Sequence, residues 1–445
     1  VLFSLPEDFH MSRTYTVSPG GSLSGTISIP GDKSISHRAI MLGSIAEGTT
    51  EVHGFLEGED ALATLAVFRA LGVNIERPGP GRVTVHGVGP QGLKAPAGEM
   101  DVGNSGTSMR LLAGLLSAQP FECVLKGDES LNRRPMRRVT EPLAKMGASI
   151  DTSPTGTPPL RIHGHAKLKG ICYDMPVASA QVKSALLLAG LYAEGETCVR
   201  EPAPTRDHTE RMLETLGWPT ERRDGYICVK GGARLRGSRI DVPADISSAT
   251  FFMVGAAIAE GSDVVLPSVG INPTRTGVLD ILKLMGADIE LLNQRNLGGE
   301  PVADVRVRSS RLRGIEIPVE LVPLAIDEFP ALFIVAACAE GRTVLRGAEE
   351  LRVKESDRIQ VMADGLRTLG IDAQPTPDGM IIEGGKAFGS GTIESHGDHR
   401  IAMSFAIAAL RATGDIRILN CDNVNTSFPG FENTARTAGL RIAAE

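Results

Sequence analysis

The sequence predicts an α/β protein of two similar globes, each made of three copies of one alternating unit. Three observations point to it. A helix-like run closing on Leu, Met or Ala and then Gly, followed by a short strand-like stretch, recurs six times. An apolar helix rich in Ala, Leu or Ile precedes each of these, starting near Asp32, Gly103, Ala178, Asp245, Asp327 and Asp398, so the steps are 71, 75, 67, 82 and 71 residues. Aromatic residues make up only 4% while Gly reaches 51 and Pro 27, which suits an aliphatic core and many turns between regular elements.

Taken in order, the closing pairs are Leu71-Gly72, Met146-Gly147, Leu216-Gly217, Met285-Gly286, Leu369-Gly370 and Ala438-Gly439, each Gly standing where a helix end wants positive φ. The third copy shows the grammar. A helix over Ser179 to Leu191 leads to a strand-like run Thr197 to Arg200, then a loop and a second helix from Arg206 to Leu216. Tyr226 to Lys230 alternates as a strand, and Arg234 to Gly237 turns the chain towards the next copy. Helices such as Phe251 to Ile258 and Ile334 to Ala337 are apolar all round, which requires burial on every side. Three such helices sharing the centre of each globe would send their N-termini to one face.

With 46 basic against 53 acidic residues, the chain carries −7 and no overall field for a nucleic-acid backbone, so any anion must be gripped locally. The six cysteines lie at least 26 residues apart, without a CxxC pair, and are expected to be reduced and structural. No run approaches the roughly 18 apolar residues of a membrane span. Residues 1–10 are expected to be a disordered leader before a natural start at Met11, with no signal peptide and a cytoplasmic location.

The predicted inner helices open on polar residues: Asp32-Lys33-Ser34, Asn104-Ser105, Ser179-Ala180-Gln181, Asp245, Asp327-Glu328 and Asp398-His399-Arg400. Caps alone account for Ser, Asp and Asn. They do not account for Lys33, Arg38, Lys183 and Arg400, cations added where helix ends already favour anions. Two loops strengthen the idea of a local anion trap. Asn132 to Arg138 holds four arginines in six positions, and Lys354 and Arg358 lie four apart at a helix start with Glu355 beside them. Gly103-Asn104-Ser105-Gly106-Thr107 has neither dinucleotide nor P-loop spacing. His163 and His165, alternating on a strand-like run, lack a third metal ligand, and His399 suits either a helix cap or a group polarising a reacting centre.

Taken together, Gly31-Asp32-Lys33-Ser34-Ile35-Ser36-His37-Arg38, Gly103 to Arg110, Arg134-Pro135-Met136, Ala178 to Lys183, Arg352 to Arg358 and Asp398 to Met403 resemble the signatures of the EPSP synthase (3-phosphoshikimate 1-carboxyvinyltransferase) family, in order, from about Gly25 to the C-terminus. The resemblance implies two domains of three βαβαββ units, an inside-out α/β barrel-like fold with buried parallel helices. It also implies two crossings near Lys33 and Asp245, so that residues 11–31 join 246–445 and residues 32–245 form the second domain. The family's reaction joins phosphoenolpyruvate to shikimate 3-phosphate and releases phosphate, with no cofactor or metal, in an interdomain cleft.

By motif position, the resemblance assigns shikimate 3-phosphate to Lys33, Ser34, Arg38, Ser179, Gln181, Arg206, Asp327 and Lys354. Phosphoenolpyruvate falls to Lys33, Asn104, Gly106, Arg134, Gln181, Glu355, Arg358 and Arg400. Asp327 would be the base and Glu355 the proton donor, two carboxyl groups in unlike surroundings, with Lys33 moving charge and protons. Ser179-Ala180-Gln181 and Thr426-Ser427-Phe428-Pro429 place the chain nearer the family's second subclass, often noted for glyphosate tolerance. Gly106, where some of that subclass have Ala, leaves room for the inhibitor. A monomer is expected. UDP-N-acetylglucosamine carboxyvinyltransferases share the architecture but carry a Cys before their Arg-Pro, absent from Gly127 to Arg134; a six-subdomain DNA clamp would leave Arg134-Pro135 and Lys354-Glu355 without a role.

Overall fold

Each copy of the repeat folds into an inner and an outer helix. The computed structural model describes residues 12–165 and 167–445, so the leader expected at 1–10 lies outside the described residues. In chain order the helices are α1 (Lys33–Ile45), α2 (Glu59–Ala70), α3 (Gly106–Leu116), α4 (Arg137–Lys145), α5 (Ala180–Gly190), α6 (His208–Thr215), α7 (Ile246–Ile258), α8 (Gly277–Leu284), α9 (Phe329–Cys338), α10 (Arg358–Thr368), α11 (His399–Ala408) and α12 (Phe431–Ala438). The odd-numbered helices are the inner ones, and α7 is buried at every residue. The even-numbered helices all end the same way. Val73, Ala148, Trp218, Ala287, Ile371 and Leu440 each donate a backbone N–H to the carbonyl five residues back, closing one turn over Gly72, Gly147, Gly217, Gly286, Gly370 and Gly439. Those glycines have φ between +84° and +122°, where a Cβ would be strained.

Between helices, the strands form six small open sheets that repeat one pattern: an edge strand parallel to its neighbour, then two antiparallel steps. In the third copy the order is Cys172–Asp174, Glu196–Arg200, Tyr226–Lys230, Glu221–Arg223. The fifth copy keeps three strands and replaces the parallel edge with two isolated bridges, Arg313–Glu340 and Glu316–Val344. The sheets do not close into a barrel.

The chain's start completes sheets of its second half. Tyr15–Val17 lies between Ile416–Leu419 and Ile442–Ala444, and Ser24–Thr26 runs beside Asp263–Gly270. Arg239–Asp241 in turn returns to Glu47–His53 of the first copy. Two apolar cores result, one from Ile35 to Val242 and one combining Tyr15 to Ile29 with Ala244 to Ile442. The two connecting segments run side by side: Asp32 N–H donates to Pro243 O at 2.8 Å and Asp245 N–H to Pro30 O at 2.9 Å.

Close packing of the inner helices dictates particular residues. At Gly114 of α3 a Cβ would stand 2.1 Å from the Ala185 carbonyl of α5, so only glycine allows the approach. Two expectations fail locally. Cys198 and Cys228, thirty residues apart in sequence, stand opposite each other in an antiparallel pair and form a disulfide. Strand register, invisible to spacing rules, brings them together. His163 and His165 lie beyond the strand Leu160–Ile162 rather than alternating on it, and His165 has positive φ. Among the described residues no helix is long and apolar enough to cross a membrane.

Candidate active site

Inner-helix N-termini from both cores open onto one cavity of about 710 Å³, its mouth included. Five of them carry side-chain caps, the expectation for Ser and Asp at these positions. Asp32 accepts from Ile35 N–H, Ser105 from Ser108, Ser179 from Val182, Asp245 from Ser247 and Asp398 from Arg400. In the sixth, α9 begins at Phe329 with Glu328 at the cap position, which leaves Asp327 outside the helix and free to face the cavity. Eight Lys or Arg side chains meet only four carboxylates in the wall. A chain of net charge −7 thus holds a concentrated positive pocket, to which the helix ends add.

Of the residues expected at the site, Lys33, Ser34, Asn104, Gly106, Arg134, Gln181, Arg206, Asp327, Lys354, Glu355 and Arg400 line the cavity. Ser179 lines the adjoining hollow, which shares Gln181, Arg206, Asp327 and Lys354. Arg38 sits one layer below, its donors taken by Thr209, Ser184 and the Ser34 carbonyl. Arg358 is also behind the wall, 1% exposed, and bonds Asp398, Glu355 and Asp327. Lys354 and Arg358 both reach Asp327, at 3.5 and 3.3 Å, but Lys354 precedes the helix, which starts at Arg358 after its cap Asp357. Of the four arginines at 133–138, two serve the cleft. Arg134 donates to Asn104 Oδ1 at 2.6 Å, and Arg138 crosses between the cores to Glu350 at 2.8 Å.

The two carboxylates proposed for proton transfer sit in similar, not unlike, surroundings. Burial alone pushes the Asp327 pKa up, but Lys354, Arg206, Arg400 and Arg358 together hold it well below the ordinary carboxylate value. Glu355 follows the same rule: burial is outweighed by Arg358 first, then by Arg134, with Lys33 adding to them. Sequence motifs could not show this, because the cations come from five separate segments.

Asp60 is the contrasting carboxyl. It accepts from Lys33 Nζ at 2.9 Å, yet its burial dominates and raises its pKa, and its Oδ1 has no hydrogen-bond partner. No sequence signal marked it. Arg110 donates to Gln181 Oε1 at 2.6 Å, and burial, with Arg138 and Arg134 nearby, brings its pKa down to about 9. Arg275 bridges Asp32 and Asp245, the caps at the two chain crossings. His399 is not the cap, a role Asp398 fills. Burial, then Lys33 and Arg400, keep its pKa well below 6.5, so a neutral imidazole with an unpartnered Nε2 lines the cavity.

A family model described as EPSP synthase (3-phosphoshikimate 1-carboxyvinyltransferase) matches residues 17–435. The 3-phosphoshikimate 1-carboxyvinyltransferase of Methylococcus capsulatus is 68% identical over 428 residues, covering 96% of this chain and 98% of that protein. The solved EPSP synthase of Acinetobacter baumannii superposes with a TM-score of 0.87 at 60% identity, covering 98% of this chain and all of the other. The enolpyruvyl transferase NikO of Streptomyces tendae shares the fold, with a TM-score of 0.79 at 16% identity.

Proposed function

The chain belongs to the EPSP synthase (3-phosphoshikimate 1-carboxyvinyltransferase) family and carries out that transfer, and from this premise we propose which of its residues perform each part. The carboxyvinyl group of phosphoenolpyruvate moves to the 5-hydroxyl of shikimate 3-phosphate, and inorganic phosphate leaves. The UDP-N-acetylglucosamine and DNA-clamp alternatives are not favoured. Convergence of helix ends and cations from both cores on one cavity is the observation that carries the assignment of the site. The two apolar cores support a division into residues 11–31 plus 246–445 and residues 32–245.

Two phosphates and two carboxylates must share the cavity, and their mutual repulsion is large in a partly desolvated cleft. Ser34, Ser179, Gln181, Arg206 and Lys354 hold shikimate 3-phosphate, with Arg38 bracing Ser34 from beneath. Asn104, Gly106, Arg134, Gln181 and Arg400 hold phosphoenolpyruvate, and Lys33 lies between the substrates. Arg358, spent on three carboxylates, positions Asp327 and Glu355 rather than touching substrate.

The incoming anions compete for the cations that now surround Asp327 and Glu355, which lets both pKa values rise towards the range useful for proton transfer. Asp327 takes the 5-hydroxyl proton as that oxygen attacks C2 of phosphoenolpyruvate, and Glu355 protonates C3. In the second half Glu355 takes a proton back from C3 as the C2–O bond to phosphate breaks, the departing phosphate takes up the proton that Asp327 removed from the 5-hydroxyl, and Lys33 neutralises its charge. Glyphosate competes for the phosphoenolpyruvate subsite. The test is phosphate release: it requires both substrates together, and release with phosphoenolpyruvate alone overturns the reading.

A further inference from the structure

Lys183, one of the cations at inner-helix starts, lines neither the cavity nor the adjoining hollow. It lies near the start of α5, and its side chain is fully buried. Its ammonium turns instead to the segment that joins the strand Glu196–Arg200 to α6. Nζ donates to Glu201 Oε2 at 3.1 Å, just after the strand, and to the Thr205 carbonyl at 3.5 Å, and it pairs with Glu210 Oε1 on α6 at 2.8 Å. Glu201 closes the loop from inside by accepting from the Thr205 hydroxyl. Lys183 thus grips the segment before, within and after its irregular part. Among the described residues the backbone of 202–206 pairs with no other backbone group, and Pro202 and Pro204 have no N–H to offer. Side chains must hold it. Next to Thr205 stands Arg206, which lines both the cavity and the hollow and reaches Asp327 of the other core.

We propose that Lys183 is a positioning residue for shikimate 3-phosphate: by tethering Glu201, Thr205 and Glu210 it fixes the 202–206 loop so that Arg206 meets that substrate across the cleft. The inference rests on the assignment of Arg206 to shikimate 3-phosphate. Lys183 does not touch the substrate itself, because its side chain has no exposed surface. Stability alone is a weak reason for this cluster, since apolar side chains of similar volume would avoid the cost of desolvating a lysine and two acids. What they would lack is direction: the ammonium has three N–H donors and meets three acceptor groups around one loop. Without the tether, Arg206 must be ordered as the substrate binds. That cost falls on KM and not on the bond-making step, whose proton carriers Asp327 and Glu355 lie on other segments.

The test measures steady-state phosphate release in the parent, K183M, R206A and the double variant, with circular dichroism and urea unfolding on each. K183M is expected to raise the KM for shikimate 3-phosphate by about 3- to 10-fold, the cost of ordering one long side chain at binding, with the KM for phosphoenolpyruvate unchanged and kcat little affected. R206A raises the same constant, and the double variant raises it no further than R206A alone, since Lys183 acts only through Arg206. Where K183M, with two stranded acids, fails to fold, E201A decides: it leaves Lys183 paired one to one with Glu210 and frees the start of the loop, and the same rise is expected. A purely structural lysine would lower the unfolding midpoint and leave KM alone. A parent-like KM for shikimate 3-phosphate in folded K183M or in E201A, or effects that multiply in the double variant, overturns the inference. A parent-like KM in R206A overturns the assignment of Arg206 itself, and this inference with it.

Discussion

Asp327 is a half-buried carboxylate held ionised by Lys354, Arg206, Arg400 and Arg358 around it, and that makes it the most exacting test of the proposed chemistry. Asp327→Ala removes the proposed base without reaching the apolar cores. Turnover at saturating substrates is expected to fall on the order of 10² to 10⁴-fold, with the circular dichroism spectrum intact. Near-normal turnover rejects Asp327 as the base. Gly106 tests the room left for small anions. A methyl there would lie 2.8 Å from Arg110 Nη1 and 3.3 Å from Arg134 Nη1, both ends of flexible side chains, so the cations shift while the helix survives. Gly106→Ala is expected to weaken glyphosate inhibition by about 10- to 200-fold, the range for one methyl in a tight site, and to raise the KM for phosphoenolpyruvate. An unchanged inhibition constant removes the steric argument. Lys33 and Arg400 were legible in the sequence because cations beside helix starts are unusual, and Arg134 and Lys354 because basic residues gather in the two loops that carry them. Asp60 was not, since an acid in the first turn of α2 is what any helix prefers, and only the fold brings Lys33 to it.

Helix α1 shows how an element both builds the core and fixes the site. Its N-terminus presents Lys33 and Ser34 to the cavity, and one turn later His37 is fully buried, with Nδ1 2.8 Å from Thr64 Oγ1 and 3.3 Å from Ser108 Oγ on α2 and α3. Burial first, then Lys33 and Arg38, lower the His37 pKa well below its ordinary 6.5, so the folded chain keeps it neutral. The unfolded chain takes up a proton below that value and the folded chain does not. Stability contributed by neutral His37 is therefore complete above about pH 6.5 and drains away as pH falls, by up to about 1.4 kcal/mol per pH unit. His399 acts in the same direction. Urea unfolding midpoints are expected to drop between about pH 6.5 and 5, and the His37→Gln variant to show a shallower drop. A drop of the same steepness in the variant contradicts the account. The elements themselves were readable, because six closing glycines punctuate outer helices and all-round apolar runs mark inner ones. Their starts were less so: α6 begins at His208, not Arg206, leaving Arg206 in a loop from which it reaches Asp327.

At the scale of the whole molecule, six repeats announced two similar halves, but the register between them was beyond sequence reading. Which strand completes which sheet, and that Cys198 meets Cys228, depend on pairings between segments far apart in the chain. The same holds for Arg275, which no motif singled out. It comes from the second half, is 4% exposed, and reaches Asp32 at the head of α1 and Asp245 at the head of α7, with Glu328 at 3.8 Å. Burial opposes its charge, yet those three carboxylates outweigh burial and raise its pKa. The cluster sits where the two crossing segments run side by side, so it ties the halves together directly beneath Lys33, whose own N–H donates to Asp245. Arg275→Ala strands three buried acids without their counter-ion, a change expected to destabilise the chain by about 3–5 kcal/mol in urea unfolding. Phosphate release is expected to fall as well, because the heads of α1 and α7 lose the group that aligns them across the cleft. Arg275→Lys keeps the charge but not the fork that spans two carboxylates, and recovers stability only in part. A loss below about 1 kcal/mol in Arg275→Ala would show that sheet completion alone holds the crossing.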